Sequence, residues 1–434
     1  MKKTVNALKE TGNEELFELT KKVSSEIDFL EVIAPDRLRI NGEEKTLAEA
    51  KKTWVAAAKK GEYLDVSFVY NQERLLKYNQ KKDALLNLKI MISDKLKKTR
   101  NSVSHFQLVN YLTVVTNQLR VIEIANQLAQ SQSAVITDVG LDQINRFNEN
   151  YLRMIFGSPD ELVVKMVSDV TPERLRPRRH MTKIPAETRQ KLAETKVSSV
   201  QLADMMKEVM AYYSDIIGHD VSYKIVIDDK STACCVYPRY SDGEPRIVVP
   251  GNKEYPLQRA IELVAHEICV HWLDHVLGAE YMLLKEGDDT MAEGHALANE
   301  SMIHQKYSGS DYIPKPFYIY AMKLANSGKT FAEIGKEIIE KYQCEPGNAF
   351  TAAYRVLRGS VGEHNLSNFA FTKDRAYFEG YMFAESLIKN GEAGYLDFSV
   401  LSRAHFEDFR KLFRAPKPVA SRSRLIAKLI EKYI

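Results

Sequence analysis

The hexapeptide His266-Glu267-Ile268-Cys269-Val270-His271 constrains this 434-residue chain more than any other feature. It continues an apolar helical pattern that begins near Pro256, so both imidazoles belong to one helix. In the usual H-E-x-x-H motif the histidines stand four apart and share a face. Here they stand five apart, and on an ideal helix they would diverge by about 140°. Both can address one ion only where the helix is locally widened. A π-bulge gives that widening and is often found at functional sites. His275, four residues past His271, is a competing partner but has no glutamate in the base position. A salt-bridged histidine on a surface helix is the plainer alternative.

A second run, Ala292-Glu293-Gly294-His295-Ala296, is also helix-compatible and adds a further carboxylate. Two imidazoles and a carboxylate form the ligand set of a catalytic zinc, with the fourth position open to water. Such a metal lowers the pKa of its water, and an unligated glutamate beside it takes the proton.

Cysteine usage agrees with a nitrogen-and-oxygen site. Cys234 and Cys235 are adjacent, Cys269 lies within the apolar helix and Cys344 is isolated. This is neither a disulfide framework nor a C-x-x-C metal pair, so the thiols are expected to be reduced and partly buried. The 61 Lys and Arg residues nearly balance the 58 Asp and Glu residues. That balance argues against a nucleic-acid partner, which would call for a basic excess. No apolar run approaches the roughly eighteen residues of a membrane span, and no signal-peptide core follows Met1-Lys2-Lys3. The expectation is a soluble, cytoplasmic protein whose oligomeric state the sequence leaves open.

Along the chain, residues 1–160 read as successive helices. Leu76 to Leu96 carries helical spacing. Leu108, Leu112, Val115, Leu119 and Ile122 step along one face, and a helix from Ile144 to Ile155 stops at Gly157-Ser158-Pro159. The basic, proline-bearing stretch Thr171 to His180 reads as a solvated connector. Ser198 and Gln201 form a capping box for a helix through Tyr213 that closes at Gly218. Strands are expected at Tyr223–Ile227, Ala233–Tyr237 and Arg246–Val249, with turns at Asp228-Asp229-Lys230 and Ser241-Asp242-Gly243. Helices then continue to the C-terminus, where Arg422 to Ile434 reads as a docked amphipathic helix. The expected fold class is helix-dominant α+β, a catalytic unit over 161–434 with a small antiparallel sheet, joined to an N-terminal helical region over 1–160. That N-terminal region is expected to act as a scaffold walling the cleft. No nucleophile elbow, phosphate-cradling loop or dinucleotide fingerprint competes.

The His266–His271 and Ala292–Ala296 runs are followed in order by Arg355-Val356-Leu357-Arg358-Gly359 and Phe371-Thr372-Lys373-Asp374-Arg375-Ala376-Tyr377. With these landmarks the chain, from about residue 15 to about 390, resembles the microtubule-associated tyrosine carboxypeptidase family. That family includes bacterial relatives described as flavohaemoglobin expression-modulating QEGLA-motif proteins. The resemblance implies a zincin-like metallopeptidase with one zinc ion per chain. His266, His271 and Glu293 would be its ligands and Glu267 the general base. Eukaryotic members remove a C-terminal tyrosine or similar residue from tubulin, so the implied partner is a peptide or protein C-terminus. The family's Q-E-G-L-A is Ala292-Glu293-Gly294-His295-Ala296 here: the ligand glutamate is kept, and the glutamine and leucine are replaced. His295 is expected on the far face of its helix.

The implied reaction is hydrolysis of the C-terminal peptide bond. A carboxypeptidase also needs a cation for the substrate's terminal carboxylate, and arginine's planar fork suits it. Arg355, Arg358 and Lys373 are the candidates, and Tyr377 is a candidate donor to the oxyanion. Arg246–Val249 is a candidate edge strand on which substrate could lie. The alternatives are a zinc dipeptidase or endopeptidase on the same site, or a zinc-binding regulatory protein without hydrolysis.

Overall fold

A computed structural model describes residues 11–24, 27, 29–132, 137–169, 185–218, 223–231, 233–237, 245–307, 316–362, 368–413 and 432. The basic stretch 171–180, the Ser241–Gly243 turn and nearly all of the terminal 422–434 segment lie outside these residues. The fold is α+β and strongly helix-dominant, as expected. Among the described residues no helix is long and apolar enough to cross a membrane.

Local signals place the helix ends. The capping box at Ser198 and Gln201 opens Ser199–Ile217, and Gly218 closes it at φ 91°. Asp138–Phe156 ends at Gly157 with φ 75°. Asn101 caps the 29-residue helix Ser102–Gln130 by accepting from the N–H groups of Val103 and Ser104. The Leu76–Leu96 region divides into a 3₁₀ turn at Lys77–Lys81 and an α-helix at Lys82–Lys98.

The N-terminal region also holds strands that a purely helical reading omits. Glu43–Lys45, Arg37–Ile40 and Val66–Val69 form an antiparallel sheet in that order, with Leu38 opposite Phe68. Each strand has only three or four residues, too few for alternation to be told from helical spacing.

Near the site, Lys224–Asp228, Arg246–Pro250 and Cys235–Tyr237 form a second three-stranded sheet. Arg246–Pro250 runs parallel to Lys224–Asp228 and antiparallel to Cys235–Tyr237. It is therefore the central strand and cannot be the substrate's edge, which corrects the expectation for Arg246–Val249. Its uninterrupted Ile247-Val248-Val249 run is the pattern of a strand covered on both faces. The edges are Lys224–Asp228 and Cys235–Tyr237. A further pair, Lys196–Ser198 with Glu254–Pro256, tethers the start of the helix Leu257–His266.

Two apolar clusters fill the interior. One joins Leu16 through Val167 to Phe317 through Phe371, so the N-terminal helices share a core with the later helices between Phe317 and Leu357. Within it Trp54 is fully buried, and its ring lies where a side chain on Gly335 would have to go: a Cβ there would meet it at 2.4 Å. The second joins the helix Ser199–Ile217, the central strand and the histidine-bearing helix to Tyr395 through Phe409.

The long helix Ser102–Gln130 also fixes the loop between the two site helices. Gln107, Asn110, Tyr111 and Asn117 donate to the carbonyls of Tyr281, Leu284, Met282 and Glu286, at 3.2, 2.9, 2.9 and 2.7 Å. A buried loop needs such partners for its backbone. This loop therefore arrives at Glu293 by one path.

Candidate metal centre and substrate cleft

The helix Leu257–His266 passes directly into a π-helical turn at Glu267–Trp272, and α-helix resumes at Leu273. The widening anticipated from the five-residue spacing is thus present in the backbone. It brings the ring centroids of His266 and His271 to 4.9 Å. From the helix Thr290–Tyr307, Glu293 Oε2 approaches His266 Nε2 at 3.6 Å and His271 Nε2 at 3.7 Å. One ligand atom from each of the three residues lies within 4.8 Å of the others. His275 is half-buried at the cavity wall outside this cluster. Burial, helped by Lys285 and His271, holds its imidazole neutral, at about 3.

The electrostatics suit a cation. Burial disfavours the Glu293 carboxylate, yet His266, His271 and Lys373 outweigh it and hold it well below the usual carboxylate range. Burial likewise opposes charge on His266, but Glu293 and Glu300 reverse the balance and raise it well above the ordinary histidine value. Glu300 sits two helical turns beyond Glu293 and contacts His266 Nδ1 at 2.8 Å, so Nε2 faces the cluster. Arg259 in turn holds Glu300 at 3.2 Å. Against its own burial, His266 and Arg259 bring the Glu300 carboxyl to about 2. A carboxylate behind a ligand histidine fixes its ring and tautomer. Two imidazoles with an outer carboxylate and a buried anionic oxygen fit a borderline divalent cation that prefers nitrogen and oxygen.

Glu267 is buried on the same turn, and burial pushes its carboxyl up although His266 and His271 pull the other way. Lys373 bridges Asp289 at 2.5 Å and Glu293 at 3.8 Å, and Lys285 joins Asp289 at 2.8 Å. These two cations overcome burial and take Asp289 down to about 2. Arg355 grips Asp374 through Nε and Nη2 and donates to the Tyr377 hydroxyl at 3.3 Å. Burial pushes that phenol up to about 12. Arg358 lies over the Phe371 ring at 4.9 Å.

All of these candidates line one cavity of about 930 Å³, together with the edge strand Cys235–Tyr237 and the adjoining Ala233 and Cys234. Phe17, Ile27 and Phe29 from the N-terminal region wall it as well. Cys234 stands there as a thiol, pushed up to about 12 by burial with help from Glu267. His295 is fully buried two residues past Glu293. Glu300, Asp289 and Lys285 are site residues that motif reading misses. Only Glu300 leaves a signal, its seven-residue offset from Glu293 on one helix face.

The family model for microtubule-associated tyrosine carboxypeptidase matches residues 107–412, more than two thirds of the chain. The chain belongs to this family. Searches of curated proteins and of solved structures returned no match. The matched stretch begins within Ser102–Gln130, later than residue 15, and runs past 390. It contains every candidate residue of the metal centre and of the cationic cluster. Membership places the protein among carboxypeptidases, hydrolases of peptide or protein chains.

Proposed function

We propose that the protein is a zinc-dependent metallocarboxypeptidase that hydrolyses the C-terminal bond of a peptide or protein, working as a soluble cytoplasmic enzyme. The observation that carries this reading is the π-helical turn, which brings His266 and His271 together against Glu293 with Glu267 on the same turn. His266, His271 and Glu293 would hold the metal. When bound, zinc supplies Lewis-acid polarisation and a water of lowered pKa.

The chain's own residues do the rest. Glu267, with its carboxyl raised by burial, accepts the proton of the attacking water and delivers it to the leaving amine. The Tyr377 hydroxyl accepts a hydrogen bond from Arg355 and keeps its own proton to donate to the developing oxyanion. The substrate backbone extends along the edge strand Cys235–Tyr237, which lines the cavity. A cation among Arg355, Arg358 and Lys373, which all line the cavity, receives the terminal carboxylate.

Metal analysis of the purified protein should find about one zinc per chain, lost in His266→Ala. Peptides with a free C-terminus should release their last residue, amidated peptides should not, and Glu267→Gln should abolish release. Cleavage of amidated peptides would replace this reading with an endopeptidase. Zinc without turnover on a broad peptide panel would replace it with a regulatory protein.

A further inference from the structure

Five cations line the cavity among the described residues: Lys21, Lys285, Arg355, Arg358 and Lys373. Four already have anionic partners. Lys285 and Lys373 converge on Asp289. Arg355 holds Asp374 with two nitrogens, at 2.5 and 2.6 Å. Lys21 is a third exposed beside Glu18 at 3.9 Å, where water screens its charge.

Arg358 differs from the other four. Its Nε is enclosed and has no hydrogen-bond partner, and no carboxylate among the described residues stands within ion-pair distance. The carboxylate whose field it feels, Asp374, is the one Arg355 already grips. Burial pulls the Arg358 guanidinium below its ordinary value, though an arginine stays charged at neutral pH. Folded chains seldom enclose a charge without pairing it.

The side chain is also held in place. Arg358 ends the helix Pro346–Leu357 in extended conformation, with its N–H bonded to the Tyr354 carbonyl. Gly359 follows at φ 91°, and its N–H donates to the Tyr70 hydroxyl at 2.8 Å. The guanidinium rests on Phe371, whose ring is fixed edge-on by Phe156 at 5.3 Å.

We infer that Arg358 is the residue that reads the substrate's terminal α-carboxylate, while Arg355 and Lys373 serve as structural charges. This inference rests on the carboxypeptidase reading and deepens it. A free carboxylate in the cavity gives the half-buried guanidinium two parallel hydrogen bonds. A C-terminal amide leaves its charge unmatched, so Arg358 makes the enzyme an exopeptidase.

The test compares binding and turnover of one peptide as free acid and as amide. Binding is measured on zinc-loaded Glu267→Gln protein, with and without Arg358→Gln. Turnover is measured on the zinc-loaded enzyme and on its Arg358→Gln and Arg358→Lys variants. Arg358→Gln should weaken binding of the free acid about 100-fold, leave the amide unchanged and raise KM more than it lowers kcat. Arg358→Lys, which keeps the charge without the fork, should lose about 10-fold and supplies the answer if the glutamine variant does not fold. If the acid is preferred equally with and without Arg358, the inference is overturned and the carboxypeptidase reading stands. If the parent protein itself does not discriminate acid from amide, the carboxypeptidase reading falls first.

Discussion

Gly294 and Gly380 mark a helix crossing in backbone contact. A Cβ on Gly294 would lie 2.1 Å from the Gly380 carbonyl carbon, and one on Gly380 would lie 2.0 Å from the Thr290 carbonyl oxygen. Because Glu293 immediately precedes Gly294, the depth of this crossing sets how far the carboxylate reaches toward His266 and His271. Both obstructing groups are backbone and cannot rotate aside. Gly294→Ala should therefore push the two helices apart and cost about 3 kcal/mol, the upper range for overpacking. The metal centre should loosen with it. Thermal unfolding and zinc content measured on the same preparation check this. Normal stability with full zinc occupancy would refute it.

Glu300 should matter to metal affinity more than to the fold. It contacts His266 Nδ1 at 2.8 Å and is itself held by Arg259. Glu300→Gln keeps the shape but removes the charge that makes the imidazole a stronger donor. Zinc affinity by chelator competition should fall about 10- to 100-fold, while the far-ultraviolet circular dichroism spectrum is unchanged. An unaltered affinity would show that His266 is oriented by packing alone.

What the sequence reveals here depends on the range of the interaction. The π-helical turn was legible because two histidines five apart can converge in few other ways. The capping box at Ser198 and the stops at Gly157 and Gly218 were legible because they act within one helical turn. The order of strands was not, since pairing joins residues far apart in the chain. Ile247-Val248-Val249 nonetheless carried the mark of a central strand in its unbroken apolar run. The role of each cation was hidden for the same reason. Arg355, Arg358 and Lys373 look alike in a linear reading, and only their distances to Asp374 and Asp289 separate them. Gly294 showed its place in a motif, but its reason lies in Gly380, 86 residues later.

His405, outside the His266–His271–Glu293 cluster, introduces a pH dependence of stability. Its Nδ1 lies 2.6 Å from Glu286 Oε1. Burial disfavours its charge, but Glu286, with Asp408, raises it above the ordinary 6.5. A histidine raised by folding stabilises fully below its unfolded pKa, and the contribution fades as pH climbs through the folded one. Stability from urea unfolding should therefore decline as pH rises from about 6.5, and His405→Gln should flatten that decline. A variant that follows the parent curve in parallel would exclude this pair as its source.

Asn110 probes the loop that delivers Glu293. Its side chain amide donates to the Leu284 carbonyl at 2.9 Å and to Glu286 Oε1 at 2.6 Å, and its oxygen accepts from the Leu284 N–H at 2.9 Å. Asn110→Ala strands these buried groups together and should cost about 2–4 kcal/mol. Asn110→Asp preserves the size but sets a second carboxyl against the buried Glu286. The added carboxyl is pushed up by the Glu286 charge beside it, so it takes up a proton as the chain folds. A carboxyl raised by folding favours the folded state at low pH, so this variant should lose stability steadily as pH rises from 5 to 8, beyond any loss in the parent. Urea unfolding across that range, with Asn110→Ala as the reference without an added carboxyl, separates the charge from the missing hydrogen bonds. Equal pH slopes for the two variants would show that Asn110 acts on this loop by shape alone.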